Sequence, residues 1–329
     1  MKDDGSPAHG IMAYLSSPSK IINFYPSRSN KNGEVQFEMQ HFYGSAKIVA
    51  QTNPKKDSLY GIKIQSPFSE QFATRAIPSF KLSTDVQGQL INRSVAMQVQ
   101  DIYFTNEFAK VKSIVTDSSA FYGKADETYL LDAFTRFPVM EEVMREYVPG
   151  VLVRKRKDGF HFILLDNVNN GVFNESPLIL LDGVPVFDED EIMNFSPLTI
   201  KKLEVITRRW YLGQLSFNGI VSYTTYQGNL GGFPLNPKNV TLNYDGLQLQ
   251  REFYSPKYEN KIQRESRLPD QRHVLYWNPF VITDKDGHQQ LEFSTSDVPG
   301  KYKIIVEGMT KDGNIGRASS TFTIKEFNN

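Results

Sequence analysis

Pro177-Leu178-Ile179-Leu180-Leu181-Asp182-Gly183-Val184-Pro185-Val186 is apolar on both sides of a single Asp-Gly pair. A strand with one wet face alternates apolar and polar residues. Leu178–Leu181 does not alternate, so it reads as a central strand buried on both faces. Asp182-Gly183 tolerates the positive φ of a tight turn, so the chain should reverse at once. After the acidic linker Asp188-Glu189-Asp190-Glu191, Ser196-Pro197 reads as the start of a one- or two-turn helix. Leu203–Thr207 and Ile220–Thr225 read as further strands.

Upstream, Leu130, Leu131, Phe134, Phe137, Met140, Val143, Met144 and Tyr147 recur three or four apart and make one apolar helical stripe. Pro138 suits a first turn, and Glu141 and Glu142 favour the positive helix end, so the stripe reads as one broken helix or two short ones. Pro149-Gly150 stops it. A hairpin follows, Val151–Arg154 and Phe160–Leu165 about the Asp158-Gly159 turn. Residues 127–232 thus read as an α+β unit.

Val148-Pro149-Gly150-Val151, Leu181-Asp182-Gly183-Val184-Pro185-Val186, Ile200-Lys201-Lys202-Leu203-Glu204-Val205 and Gly219-Ile220-Val221 closing in Thr224-Thr225 occur in that order. With these four elements the segment resembles the plug domain of TonB-dependent outer-membrane receptors. The resemblance implies an envelope location. It departs at Arg208-Arg209-Trp210-Tyr211-Leu212, where receptors carry small residues, and at the lone Gly219, where they carry paired glycines. A plugged barrel has about 22 strands of roughly 9–11 residues. Only residues 233–329 follow the plug-like segment, so a plug-like module without a barrel is expected in this chain.

Asn-Gly and Asp-Gly pairs recur along the whole chain, at 32, 158, 182, 245, 286 and 312, the mark of antiparallel β structure, and the flanks read as β throughout. Residues 1–80 read as short strands, with Val35–Met39 and Ala46–Ala50 among them, in a sandwich that is complete or lacks its first strands. Residues 81–126 form a connector, in which Gln87–Met97 fits a helix and Val95–Tyr103 fits a strand. In residues 233–329, Val240–Tyr244 reads as a strand, Phe280–Thr283 and Gln290–Phe293 as one hairpin, and Tyr302–Gly308 with Ser320–Ile324 as another. Leu275-Tyr276-Trp277-Asn278-Pro279, Thr283-Asp284, Asp286-Gly287, Ser296-Asp297 and Gly300-Lys301-Tyr302 look like the immunoglobulin-like domains of alpha-macroglobulin-type exported proteins. Asn32–Phe37 is a fainter version. Large exported proteins of Bacteroidetes-type bacteria combine such parts. The expected fold is mainly β, with a central plug-like α+β domain between two immunoglobulin-like β-sandwiches.

Composition narrows the function. Lys and Arg total 37 and Asp and Glu 37, a balance that speaks against nucleic acid as partner. No cysteine is present, which excludes disulfides, thiolate metal sites, a cysteine nucleophile and a thioester. No stretch approaches the ~20 apolar residues of a membrane helix. Met1–Pro7 has no apolar core and is no signal peptide. The chain opens almost directly into strand-like sequence, as a piece cut from a longer exported protein would.

His9, His41, His161, His273 and His288 are scattered, without metal-ligand spacing, and no phosphate loop or nucleophile elbow occurs. No cofactor and no enzymatic activity are expected. Asp284-Lys285-Asp286-Gly287 opens like a calcium loop, but His288 and Gln289 break the pattern, so it reads as a turn. Asp188–Glu191 reads as a solvated helix start and Arg154–Lys157 as an exposed hairpin end. Trp277 reads as a core tryptophan. Arg208, Arg209, Trp210 and Tyr211 combine the residue types enriched at binding hot spots. They read either as a partner-binding patch or as packing of the plug-like core.

The reading expects a non-catalytic protein, exported to the periplasm or outer membrane, that acts by contact with another envelope protein. A part of a macroglobulin-like protease trap and a glycan-binding module are the alternatives.

Overall fold

A computed structural model describes residues 5–65, 69, 71–72, 74–111, 119–213 and 215–326. The strands are β1 Met12–Ser17, β2 Asn23–Arg28, β3 Ser45–Thr52, β4 Glu127–Leu130, β5 Val151–Arg156, β6 Gly159–Asp166, β7 Gly171–Val172 and β8 Leu178–Leu181. They continue with β9 Val184–Val186, β10 Ile200–Ile206, β11 Trp210–Leu212, β12 Leu215–Phe217, β13 Ile220–Thr225, β14 Val240–Asp245, β15 Gly300–Met309 and β16 Ile315–Ile324. The helices are α1 Gln87–Phe108, α2 Met140–Tyr147, α3 Glu189–Met193 and α4 Lys261–Arg264. Strand makes up 31% of the chain and helix 17%, so the chain is mainly β, and no barrel forms among the described residues. Two compact units emerge: Met1–Gln71 with Val115–Gln248, and Phe72–Ile114 with Leu249–Asn329.

The first unit is built on a mixed sheet of order β4-β10-β13-β8-β9, in which β13 and β8 run parallel and the other pairs antiparallel. All of Leu178–Leu181 and Ile220–Thr225 are buried, as the unbroken apolar run requires. One face carries Ile179, Leu181, Leu203, Val205, Val221 and Tyr223 against Met140, Val143 and Met144 of α2, Ile192 of α3 and Phe162 and Leu164 of β6. The opposite face carries Leu178, Leu180, Ile206 and Ile220 against Ile22, Phe24 and Tyr122. Tyr223 hydroxyl has a thioether acceptor, Met144 Sδ at 3.2 Å, and burial pushes its phenol far up. A second, antiparallel sheet has the order β14-β3-β1-β2 and packs Leu15, Phe42, Ile48 and Ala50 beneath it.

The apolar stripe at 130–147 resolves into three pieces: β4, a 3-10 turn at Leu131–Ala133, and α2, which starts two residues after Pro138. Val35–Met39 alternates in burial, with Phe37 and Met39 packed inward, but it joins no ladder. Side-chain alternation alone thus does not require a hydrogen-bonded neighbour. Gly246 does not take a positive φ. It is small because Phe42 lies against it, 2.5 Å from where a Cβ would stand.

In the second unit the stretch open to helix or strand is one 22-residue helix, α1, with Ser83 accepting from Asp85 N–H just ahead of it. A strand there would need a neighbour, whereas a helix satisfies its own backbone. Phe104 and Phe108, one turn apart, hold Tyr254 between them at ring distances of 5.6 and 5.3 Å. Asp270 and Arg272 form a buried forked ion pair at 2.7 Å, with Tyr258 hydroxyl on the same carboxylate oxygen at 2.8 Å. β15 and β16 pair over ten residues about the Asp312-Gly313 turn. The Asp284-Gly287 turn also forms, with Asp284 Oδ1 accepting from Asp286 and His288 N–H, but the flanking segments make no ladder. Trp277 is 57% exposed, which corrects its reading as a core residue; Leu275 and the Asp270–Arg272 pair fill that interior.

Candidate functional site

Arg208 to Tyr211 lead from the central strand β10 into the short β11–β12 hairpin, where Trp210 faces Phe217 across the ladder. Burial alternates along the four residues. Arg208 and Trp210 are half-buried, and Arg209 and Tyr211 are exposed, Tyr211 by 65%. Trp210, Leu212 and Phe217 pack on the cluster of Ile22, Phe24 and Tyr122.

Arg208 is fixed from two sides. Its guanidinium pairs with the Asp126 carboxylate and lies 5.5 Å above the Trp210 ring. Asp126 is held in turn: its Oδ2 accepts from Thr207 N–H at 2.9 Å, and its own N–H donates to Val205 O at 3.1 Å. Asn167 then donates to Thr207 Oγ1 at 2.9 Å. Arg209 stands apart, 5.9 Å over the Phe173 ring and near Asp166. The Asn169 side-chain amide, 2.7 Å away, holds the Asp166 carboxyl below its ordinary range. Trp210 Nε1 is buried without an acceptor among the described residues.

Comparison with protein-family models, with curated proteins and with solved structures finds no match for this chain. Fixed arginine and aromatic rings beside an exposed Arg209–Tyr211 edge make a surface suited to binding, since little ordering remains to be done on contact.

Two functional-looking residues gave no advance signal. Asp126 lay inside the presumed connector. Asp182 was legible only as a turn residue at φ +49°, yet it is fully buried and bolts the sheet end. Its Oδ1 accepts from Thr225 N–H at 2.7 Å, and its Oδ2 from Thr225 hydroxyl at 2.6 Å and Leu230 N–H at 2.7 Å. No local pattern announces that a turn acid will meet a strand end 43 residues later.

The remaining sites are local. Asp188 caps α3, and Glu189 pairs with Lys55 at 2.5 Å. Arg154–Arg156 end β5 exposed. His161 contacts Asp158 at 3.0 Å, and no group of three metal-ligating side chains occurs among the described residues. No helix among the described residues is long and apolar enough to cross a membrane. A cleft of about 180 Å³ opens beside Lys55, lined by Phe187, Asp188, Glu191, Phe233, Asn236 and Asn239.

Proposed function

We propose that this chain is part of an exported cell-envelope protein that works without catalysis, by contact with another envelope protein. In this reading a plug-like α+β module carries the contact, and the flanking β regions belong to immunoglobulin-like sandwiches. Three of the four plug-like elements quoted from the sequence lie together in one sheet, as β8, the Asp182 turn and β9, then β10, then β13, which supports the reading; the first, Val148–Val151, leads into β5 of a separate three-stranded sheet. The observation that carries the contact surface is the division of the hairpin: Arg208 and Trp210 anchor it, while Arg209 and Tyr211 face outward.

A photo-crosslinking residue in place of Tyr211, in cells producing the full protein, tests this. One dominant adduct should form in the envelope fraction and fade in Arg209→Ala. Recovery of the native protein in the cytoplasm, or adduct formation indifferent to Arg209, would overturn it. A glycan-binding reading draws on the cleft at Lys55, where two phenyl rings stand beside amides and carboxylates. A glycan array without hits would remove it.

A further inference from the structure

A positively charged pocket lies elsewhere in the first unit. Lys202 and Glu204 project from β10 on the side away from Leu203 and Val205, directly opposite Thr224 and Ser222 of β13. Lys202 Nζ meets Glu204 Oε2 at 2.8 Å, and Tyr122 hydroxyl donates to the same oxygen at 3.1 Å. The one carboxylate in this corner is thus already occupied. Beside it opens a pocket of about 350 Å³, lined by Lys20, Ser119, Gly123, Lys124, Lys202 and Glu204. Lys20 and Lys124 form no ion pair among the described residues, so the pocket carries a surplus of two positive charges.

The three lysines come from three separately anchored segments. The turn after β1 is tied down by Ser19 N–H on Asp182 O at 3.2 Å and by close approach of Gly228, whose missing Cβ would stand 2.6 Å from Lys20 N. The Ser119–Lys124 turn is pinned by Tyr122, which is 1% exposed, and by Gly123 N–H on Ala120 O at 2.8 Å. Lys202 rides on the sheet itself. Beneath this corner the Thr224 hydroxyl is buried without a hydrogen-bonding partner among the described residues. An unpaired buried hydroxyl is destabilising and uncommon, and this one sits on the sheet face that carries Lys202, directly opposite it.

We propose that this pocket binds a small oxyanion group, a phosphate or sulfate ester. Lysines act as point charges toward such groups, and a tetrahedral oxyanion accepts from several directions where a carboxylate offers two oxygens. The volume, at the lower end of small-molecule sites, leaves room for part of the ester's organic body.

Calorimetric titration of the whole chain with inorganic phosphate tests it. Saturable binding with Kd on the order of 1 mM is expected. The pair Lys20→Gln and Lys124→Gln should weaken it at least about tenfold. Glu204→Gln, which frees Lys202 while keeping an acceptor for Tyr122, should tighten it. Unchanged circular dichroism in each variant would show that the fold persists. Displacement of phosphate by phosphatidylglycerol but not phosphatidylcholine vesicles would assign the ester to a lipid headgroup, and displacement by neither to a soluble ligand. No saturable heat up to about 50 mM phosphate, or equal affinity in the lysine pair variant and the parent, would overturn the proposal.

Discussion

Leu178–Leu181 of the first unit and Ile304-Ile305-Val306 of the second are the same signal in sequence: apolar residues in a row, with no alternation. Their surroundings are opposite. The first run is entirely buried, in a strand between β13 and β9 with both sheet faces covered. The second is 39%, 50% and 56% exposed, on a ribbon whose one laddered neighbour among the described residues is β16. An apolar run specifies a strand that gains from cover on both faces; whether cover arrives is a property of the topology. The Asp-Gly turns teach the same lesson. Asp182 has its carboxylate enclosed by donors from a distant strand, whereas Asp312 closes a hairpin in the open.

The contrast breaks most visibly at Asp182. Asp182→Ala leaves Thr225 N–H, Thr225 hydroxyl and Leu230 N–H without acceptors and should cost about 3–5 kcal/mol in urea unfolding. Asp312→Ala should fall within about 0.5 kcal/mol. Equal costs at the two turns would undo the comparison. Glycines sharpen it further. A Cβ at Gly219, already at φ +79°, would stand 2.6 Å from Ile206 O and overlap Leu164. Gly219→Ala should therefore cost about 2–4 kcal/mol, while Gly308→Ala on the ribbon, with open space around it, should be near neutral.

Smaller effects are expected at the candidate contact hairpin. The Arg208–Asp126 pair is about a third exposed, so Arg208→Ala should lower stability by only ~0.5–1 kcal/mol in the same unfolding experiment. Tyr211→Ala, at a 65% exposed position, should leave stability unchanged in that experiment and, on the proposed contact reading, reduce co-purification of an envelope protein with the chain. The smallest is a pH effect. The Asn169 amide beside Asp166 depresses its folded-state pKa below the ordinary 3.8. That contribution is present above the ordinary value and is lost as pH falls through the folded one, below about pH 4. Carboxyl-carbon NMR should show the Asp166 midpoint rising toward the ordinary value in Asn169→Ala.

Much of the strand plan was legible because its signals are local. The Asp158-Gly159 and Asp312-Gly313 hairpins, β8 with its turn, β10 and β13 all lie where periodicity and turn chemistry put them. The failures are non-local. The 87–103 stretch stayed open between helix and strand because both periods fit; the lack of a pairing neighbour decides for α1. The 280–293 turn forms without its ladder for want of the same partner contacts. Trp277 read as core from its side chain alone, and it is 57% exposed while Leu275, Asp270 and Arg272 are buried. At the candidate site, the Arg208–Tyr211 types stood out in sequence. Asp126, which holds Arg208, is 82 residues away and carried no signal.

The mainly β character of the chain, the places where it turns and the runs that seek burial are all written locally, since they follow from backbone preference and the transfer of apolar side chains from water. Only the tertiary structure decided that Asp182 is a bolt, that Lys20, Lys124 and Lys202 share a pocket, and that one apolar run is core while another stays wet. Each depends on pairs far apart in the chain, and a local pattern cannot encode which distant partner arrives.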